Sequence, residues 1–278
     1  MEFYLKDLKQ NEQVALIKLH TIVRQSEQIP PELIPDAALI RFLRACELDV
    51  NRAVEMIKES AAWRKTMNWK AVREIPIDSV NTMFSVMKFG FYGEDSKGRP
   101  IRYMAPQPCN IDEIFQKVGP ERLFNFQVAM LERMINIVMG RCTQKYGRPV
   151  YQMITVVDVK LLEVSKIITS TDMIGAMRKM APEFQKNYPE LTFRAVIINA
   201  GPVFYTLWKI VSVFFKEATL KKIRICNTDY LGELLDFSTL DKIPKEYGGT
   251  CPYEIDNYPN FFDQEMYDSW KEGRITPK

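Results

Sequence analysis

Histidine is nearly absent from this chain: His20 is the only one in 278 residues, and it lies in an amphipathic N-terminal stretch. Chemistry that turns on an imidazole base or a histidine-held metal is almost excluded, and a surface or packing role is expected for His20. Cysteine is sparse and scattered, at Cys46, Cys109, Cys142, Cys226 and Cys251. An odd number with no CxxC pair suggests neither a zinc site nor a disulfide framework, and fits a reducing cytosol. No GxGxxG or GxxxxGK follows a strand candidate, and Gly248-Gly249 is too short for a phosphate loop, so nucleotide binding has little support. An excess of one charge is missing too. With 38 basic against 35 acidic residues, the net +3 is too mixed for a protein held to nucleic acid by counterion release.

Targeting signals are also lacking. The opening MEFYLKDLKQNEQ has no apolar run followed by small residues, so no secretory signal is expected. Glu2 stands where a myristoylation box needs glycine, and the last residues are ITPK, so no lipidation is expected either. There is no internal repeat and no low-complexity tract.

What is present is the balance of an ordinary globular protein: 46% hydrophobic and 26% charged residues, enough for a sizeable core. The length suits one large domain, or a small helical domain followed by a larger one.

The most apolar segment is AVIINAGPVFYTLWKIVSVFF, residues 195–215, which carries a single charge, Lys209. A hydropathy window would score it as a membrane span, but Gly201-Pro202 divides it. Residues 195–199 read as a short buried strand. The helix beginning after Pro202 has roughly fourteen residues before Glu217, too few for the ~20 that cross a bilayer. That helix is apolar on nearly every side through Phe204, Leu207, Trp208, Ile210, Val211, Val213, Phe214 and Phe215, so it needs apolar matter on two faces. Two readings are open: a helix buried in a large core, or a lid with its inner face on a lipid and its outer face toward a membrane. Lys209, Lys216, Lys221, Lys222 and Arg224 cluster here against one acid, Glu217, which favours the lid near anionic headgroups.

Periodicity predicts helices over 5–23, 37–45 with Asp36 as N-cap, and from Asp49 or Asn51 to about 66. The first seventy or so residues are thus a helical bundle. Strand candidates follow at 85–92, 101–104, 152–157, 195–199 and 222–226, with helices at 112–118, 120–146 (weakly interrupted at Gly140) and 170–187 despite Pro182. The segment EDSKGRP, 94–100, reads as a hairpin turn. Alternation of this kind builds a mostly parallel sheet with crossover helices. Asp158, closing the strand, occupies the usual ligand position at a sheet's carboxyl edge, but a structural role is expected for it. Tyr103 and Tyr151 either line a cavity or sit in the core. Met83, Met87, Met130, Met134, Met139, Met153, Met173, Met177 and Met180 suit an adaptable cavity and an ordinary core equally.

Four stretches resemble the CRAL-TRIO family: LIRFLRACELDVNRAVEMIKESAAWRK at 39–65, DSKGRPIRY at 95–103, NYPELTFRAVIINAGPVF at 187–204 and IPKEYGG at 243–249. Order and spacing match over about 36–252. The resemblance implies an α/β fold in which an N-terminal helical bundle precedes a mostly parallel β-sheet flanked by helices, enclosing an apolar lipid cavity closed by a gate helix. It divides the chain into an N-terminal helical domain (1–75), a lipid-binding domain (76–253) and a C-terminal tail (254–278), without a following Golgi-dynamics domain. Its gate is the lid helix above, with Phe204, Leu207, Trp208, Val211, Phe214 and Phe215 on the gate and cavity wall and a hinge at 216–223.

In members that carry phosphatidylinositol, the headgroup is gripped by an arginine after the FLRA run, two hydroxyls on a strand, the NYPE glutamate and a Thr/Lys pair beyond the gate. The matching positions retained here are Thr155, Glu190, Thr219 and Lys222. The arginine position is Cys46 and the first hydroxyl position is Met153. Arg41 and Arg44 are expected to tie the bundle to the main domain rather than replace that arginine.

The expected protein is therefore a carrier without catalytic residues, metal or cofactor other than the bound lipid. It exchanges a phospholipid, phosphatidylinositol among the candidates, between membranes. It is expected to be a cytoplasmic monomer that binds no nucleic acid and meets membrane surfaces transiently. Two alternatives stand beside it. One is a carrier of a hydrophobic small molecule such as a tocopherol, retinoid or sterol precursor, which Cys46 and Met153 favour. The other is a lipid-sensing adaptor that binds a protein partner.

Overall fold

A computed structural model describes residues 8–73, 82–83, 85–108 and 110–252. The expected domain boundary at 75/76 and the tail at 254–278 lie outside these residues, as do the first residues of the helix expected from 5.

The N-terminal part is helical. Helices α1 (Gln10–Arg24), α2 (Asp36–Ala45) and α3 (Val50–Thr66) bury one stripe each, and a short α4 (Trp69–Arg73) follows. Leu16, Leu19, Val23, Leu39, Leu43 and Ile57 meet in one core and are at most 2% exposed, as the helical spacing of their apolar residues dictates. Asp49 caps α3 by accepting from the Arg52 amide at 3.0 Å. Asp36 does not cap α2: Pro35 holds the cap position, and Asp36, the first helical residue, faces His20 at 3.6 Å. Pro35 offers the first-turn amides no side-chain acceptor, and its fixed φ only sets the chain's entry into the helix. Burial and nearby Arg24 push the His20 imidazole down, so it stays neutral at pH 7.

The sheet has five strands in the order β1 (Met87–Glu94), β2 (Pro100–Pro106), β3 (Met153–Asp158), β4 (Thr192–Ile198) and β5 (Ile223–Ile225). β1 and β2 form an antiparallel hairpin and the remaining neighbours are parallel. The hairpin turn is built by Asp95, whose carboxylate accepts from the Lys97 and Arg99 amides at 2.8 and 2.9 Å. Gly98 in that turn has φ +72°, and a Cβ there would stand 2.7 Å from the Tyr146 ring.

Alternation gives the sheet two unlike faces. On the outer face Ile101, Tyr103, Ile154, Val156, Val196 and Ile198 are at most 1% exposed, covered by Leu234, Phe237, Ile243 and Tyr247 of the C-terminal segment. Tyr103 therefore lines no cavity on the opposite side: it stacks on Tyr247 with ring centroids 5.5 Å apart. The glycine pair of IPKEYGG is explained here, since a Cβ on Gly249 would lie 1.9 Å from the Ile243 carbonyl oxygen.

The inner face carries Arg102, Met104, Met153, Thr155, Val157, Ala195 and Ile197, by alternation and by their neighbours. Opposite it lie α5 (Ile111–Val118), α6 (Pro120–Arg133), α8 (Val164–Thr169), α9 (Thr171–Asn187) and α10 (Pro202–Val211). The long helix expected over 120–146 is not weakened at Gly140, which has ordinary helical φ and ψ. It widens earlier, into a π-helix over Met134–Met139, before α7 (Gly140–Tyr146) completes it. Met134 and Met139 are both 1% exposed, so tertiary packing of this stretch outweighs glycine's local preference. Among the described residues no helix is long and apolar enough to cross a membrane.

Candidate lipid-binding site

Helix α9 is the feature that sets this interior apart. Its apolar positions Met173, Ile174, Met177, Met180 and Phe184 recur at helical spacing, yet all are half-buried, and Asn187 is its one fully buried residue. In α1 the same pattern buries Ala15, Leu16, Leu19 and Val23 completely. On the inner sheet face Met104, Val157 and Ala195 are likewise half-buried, whereas the outer face is sealed. The inner face and α9 are thus less tightly sealed by protein than the outer face.

Helix α10 packs beside the inner sheet face. Phe204 and Leu207 are buried against Val159, Ile167, Ile197 and Ala200, and Trp208 and Val211 pack half-buried on the same cluster. The helix is ten residues long rather than fourteen, and a 3-10 turn, Ser212–Phe214, follows before Phe215 turns extended. Phe214 and Phe215 are half-buried. Its outer side shows Val203, Tyr205 and Val213 to solvent at 55%, 44% and 74% exposure, beside exposed Lys209. The reading of a helix buried all round in a core does not hold, since apolar groups on its far side meet no protein.

Gln185, which periodicity did not single out, fastens the end of this segment. Its Nε2 donates to the Phe214 carbonyl and its Oε1 accepts from the Lys216 amide, both at 2.8 Å. Such a clamp spans elements 29 and 31 residues apart, so no local sequence signal marks it.

The four headgroup candidates fall in two places. Lys222 Nζ donates to Glu190 Oε1 at 2.5 Å, the two side chains being 23% and 17% exposed. Glu190 has φ +56°, a left-handed conformation that turns the chain into β4. Thr219, half-buried on the short helix α11 (Glu217–Leu220), accepts at its carbonyl from the Lys222 amide at 3.0 Å. Thr155 is elsewhere, 5% exposed on the inner face, where its Oγ1 accepts from Arg102 Nη2 at 3.3 Å. Backbone pairing relates the two places: Thr155 is level with Ala195, whose amide donates to the Lys222 carbonyl at 2.9 Å. Two strand spacings, about 10 Å, separate them.

The positions that depart from the family pattern are filled by packing. The Cys46 thiol is 5% exposed in the N-terminal core, 3.7 Å from Met56 Sδ, and burial pushes its pKa up. Met153 is 2% exposed in the core it shares with Met130 and Met134. Arg44 pairs with Glu12 at 2.8 Å and stacks over the Tyr151 ring at 5.1 Å, joining α1, α2 and the approach to β3. Tyr151 thus belongs to that junction rather than to a cavity wall. Asp158 accepts from Asn199 Nδ2 and the Lys160 amide at 2.8 and 2.9 Å, and so locks the ends of β3 and β4 together.

A family model described as "CRAL/TRIO domain" matches residues 85–249, and one described as "CRAL/TRIO, N-terminal domain" matches residues 5–59. The chain is 27% identical over 225 residues to the phosphatidylinositol/phosphatidylcholine transfer protein SFH4 of Arabidopsis thaliana, covering 80% of this chain and 36% of that protein. It is 26% identical over 221 residues to the Sec14 cytosolic factor of Schizosaccharomyces pombe, covering 79% of this chain and 76% of that one. It thus spans about a third of the plant relative and three quarters of the yeast one. The crystal structure of Sfh5 superposes with a TM-score of 0.62 over 96% of this chain and 98% of that chain, at 18% identity, which is a likeness of fold.

Proposed function

The chain belongs to the CRAL/TRIO family, and from that premise we propose that it holds one lipid between the inner sheet face and helices α5, α6, α9 and α10, and exchanges it between membranes. The half-buried apolar face of α9 carries this reading, because an acyl chain supplies the missing contacts that the protein itself does not. The names of the Arabidopsis and fission yeast relatives support transfer of a phospholipid by a cytosolic factor.

In this reading α10 is the gate. Its buried side, Phe204 and Leu207, covers the interior, while Val203, Tyr205 and Val213 enter a membrane surface that draws in Lys209. The Gln185 clamp on Phe214 and Lys216 holds the gate's far end and is broken when it swings. No bond in the cargo is made or broken, the protein works without a cofactor, and it returns to the cytoplasm between transient membrane encounters. Transfer of a self-quenched fluorescent phospholipid from donor to acceptor vesicles tests this: the rate is expected to rise in proportion to added protein, and a rate no faster than the protein-free control contradicts it.

Glu190, Thr219 and Lys222 form the outer headgroup contact, where inositol hydroxyls replace part of the Glu190–Lys222 pair. Lys222→Ala is expected to lower phosphatidylinositol loading about tenfold, roughly 1.4 kcal/mol, with phosphatidylcholine loading unchanged. Loading is read by mass spectrometry after incubation with mixed vesicles. Equal loading of phosphatidylinositol by variant and parent makes Glu190–Lys222 an ordinary ion pair. The apolar filling at Cys46 and Met153 favours a second reading, a carrier of a hydrophobic small molecule, which the same extract distinguishes.

A further inference from the structure

Arg102 is a cation in the wrong company. It sits at the centre of the inner sheet face, between Ile101 and Tyr103, whose side chains point to the sealed outer face at 0% exposure. In register it stands level with Phe91 on one side and Thr155 on the other. Its Nε is shut off from solvent, while the residue as a whole is half-buried.

Its contacts are poor for a charged group. Nη2 donates to Thr155 Oγ1 at 3.3 Å and Nη1 to Met134 Sδ at 3.1 Å, while Nε donates to nothing. Both acceptors are neutral, and one is a thioether, a weak acceptor. No carboxylate lies within ion-pair distance of Arg102 among the described residues. Burial, acting alone, pushes its pKa down to about 10, which still leaves it protonated at neutral pH. The same molecule shows what a compensated interior arginine looks like: Arg64 lies 2.8 Å from Glu132 and 3.2 Å from Glu32. An unpaired buried charge is retained at a cost to the empty fold.

We propose that Arg102, with the Thr155 hydroxyl beside it, binds the oxyanion of a lipid whose headgroup is net negative, deep against the sheet. The planar guanidinium offers a two-pronged donor matched to phosphate or carboxylate oxygens, and a bound oxyanion supplies the missing acceptor at Nε. A choline headgroup carries its own cation beside the phosphate and would bring it toward Arg102, so lipids without that cation are selected. The oxyanion belongs to a phosphodiester or to a fatty-acid carboxylate. The charge that the family pattern places at Cys46 thus enters from a different element, β2. This inference rests on the carrier reading and names the class of its cargo.

The test loads the lipid-free full chain from vesicles containing equal phosphatidylinositol, phosphatidylcholine and oleate, and reads the extracted lipid by mass spectrometry. The parent protein is expected to take the anionic lipids over phosphatidylcholine, and Arg102→Met to lower that ratio at least tenfold. Arg102→Lys restores part of the ratio, which a purely structural role would not do. The melting temperature of lipid-free Arg102→Met is expected to equal or exceed the parent's, because a buried charge is gone. Whether phosphatidylinositol or oleate dominates identifies the oxyanion's source. An unchanged ratio in Arg102→Met overturns the inference and leaves the carrier reading intact, whereas a parent that loads no lipid overturns both. Inorganic phosphate raising the parent's melting temperature as much as the lipid does would make this a free-anion site and overturn the lipid assignment.

Discussion

Replacing Arg64 with methionine is expected to lower the unfolding free energy by about 3–5 kcal/mol, read from denaturant midpoints at constant slope. Arg64 is 8% exposed at the end of α3, with Glu132 of α6 at 2.8 Å and Glu32 at 3.2 Å. The Tyr188 hydroxyl donates to the same Glu132 oxygen at 2.7 Å, and the guanidinium lies over Trp69 at 4.6 Å. Burial alone would lower the pKa of Arg64, but Glu132 outweighs it and the guanidinium is held above its ordinary value. Burial also raises the Tyr188 phenol, with the Glu132 charge adding to it. Methionine keeps the stem's packing and strands the Glu132 carboxylate, 12% exposed, without its cation. The double variant Arg64→Met, Glu132→Leu is expected to recover a good part of the loss, since apolar pairs often replace buried ion pairs at little cost. No such loss is expected from the exposed Lys58–Glu55 pair, where about 0.5 kcal/mol is the ordinary scale. The network also reaches function, because Tyr188 is two residues before Glu190 and anchors the segment that presents it.

The second large effect is on loading rather than stability. Ala195→Trp is expected to reduce bound lipid more than tenfold while changing stability by no more than about 1 kcal/mol. Ala195 is half-buried on the inner face, level with Thr155 and Ile223, and Val196 and Ile198 of the same strand are sealed on the other face. In a close-packed core an indole at this position would force neighbouring side chains off their rotamers and cost about 1–3 kcal/mol or more. Where the space beside the sheet is kept for an acyl chain, the indole takes the lipid's place instead. Unchanged loading together with a loss of about 3 kcal/mol would mean that the inner face is packed like the outer one.

Much of this architecture was legible because it is written locally. The five strands are short runs between turn residues, rich in aromatics in β1 and in β-branched residues in β3, β4 and β5, and each lies where the pattern put it, with ends displaced by a few residues. The N-terminal helices follow their apolar stripes, and Asp49 caps where capping chemistry says it should. Gly201-Pro202 correctly divided the apolar segment into strand β4 and helix α10. Errors arose where neighbours distant in sequence decide. Gly140 attracted the helix break by propensity, but packing around Met134 and Met139 placed the π-helix earlier. The roughly fourteen helical residues expected after Pro202 gave no sign that Gln185 would hold the chain extended at Phe215.

The site was less legible for the same reason. The methionines read alike in sequence, yet Met134, Met139 and Met153 are core while Met173, Met177 and Met180 are only half-buried. Glu190 and Lys222 are 32 residues apart, so their pairing entered through family resemblance and not through spacing. Arg102 carried a signal that strand alternation contained: in PIRYMAP a charged residue occupies the face of Met104, on a strand flanked on both sides. What alternation does not tell is that no carboxylate comes to meet it, which is a property of the folded chain.

Native mass spectrometry of the full chain, purified without detergent and measured before and after denaturation, tests the central claim most directly. The native mass is expected to exceed the chain's 32.4 kDa by one lipid, released on unfolding as a single equivalent. A bare chain mass that stays bare after incubation with vesicles of mixed phospholipids would contradict it.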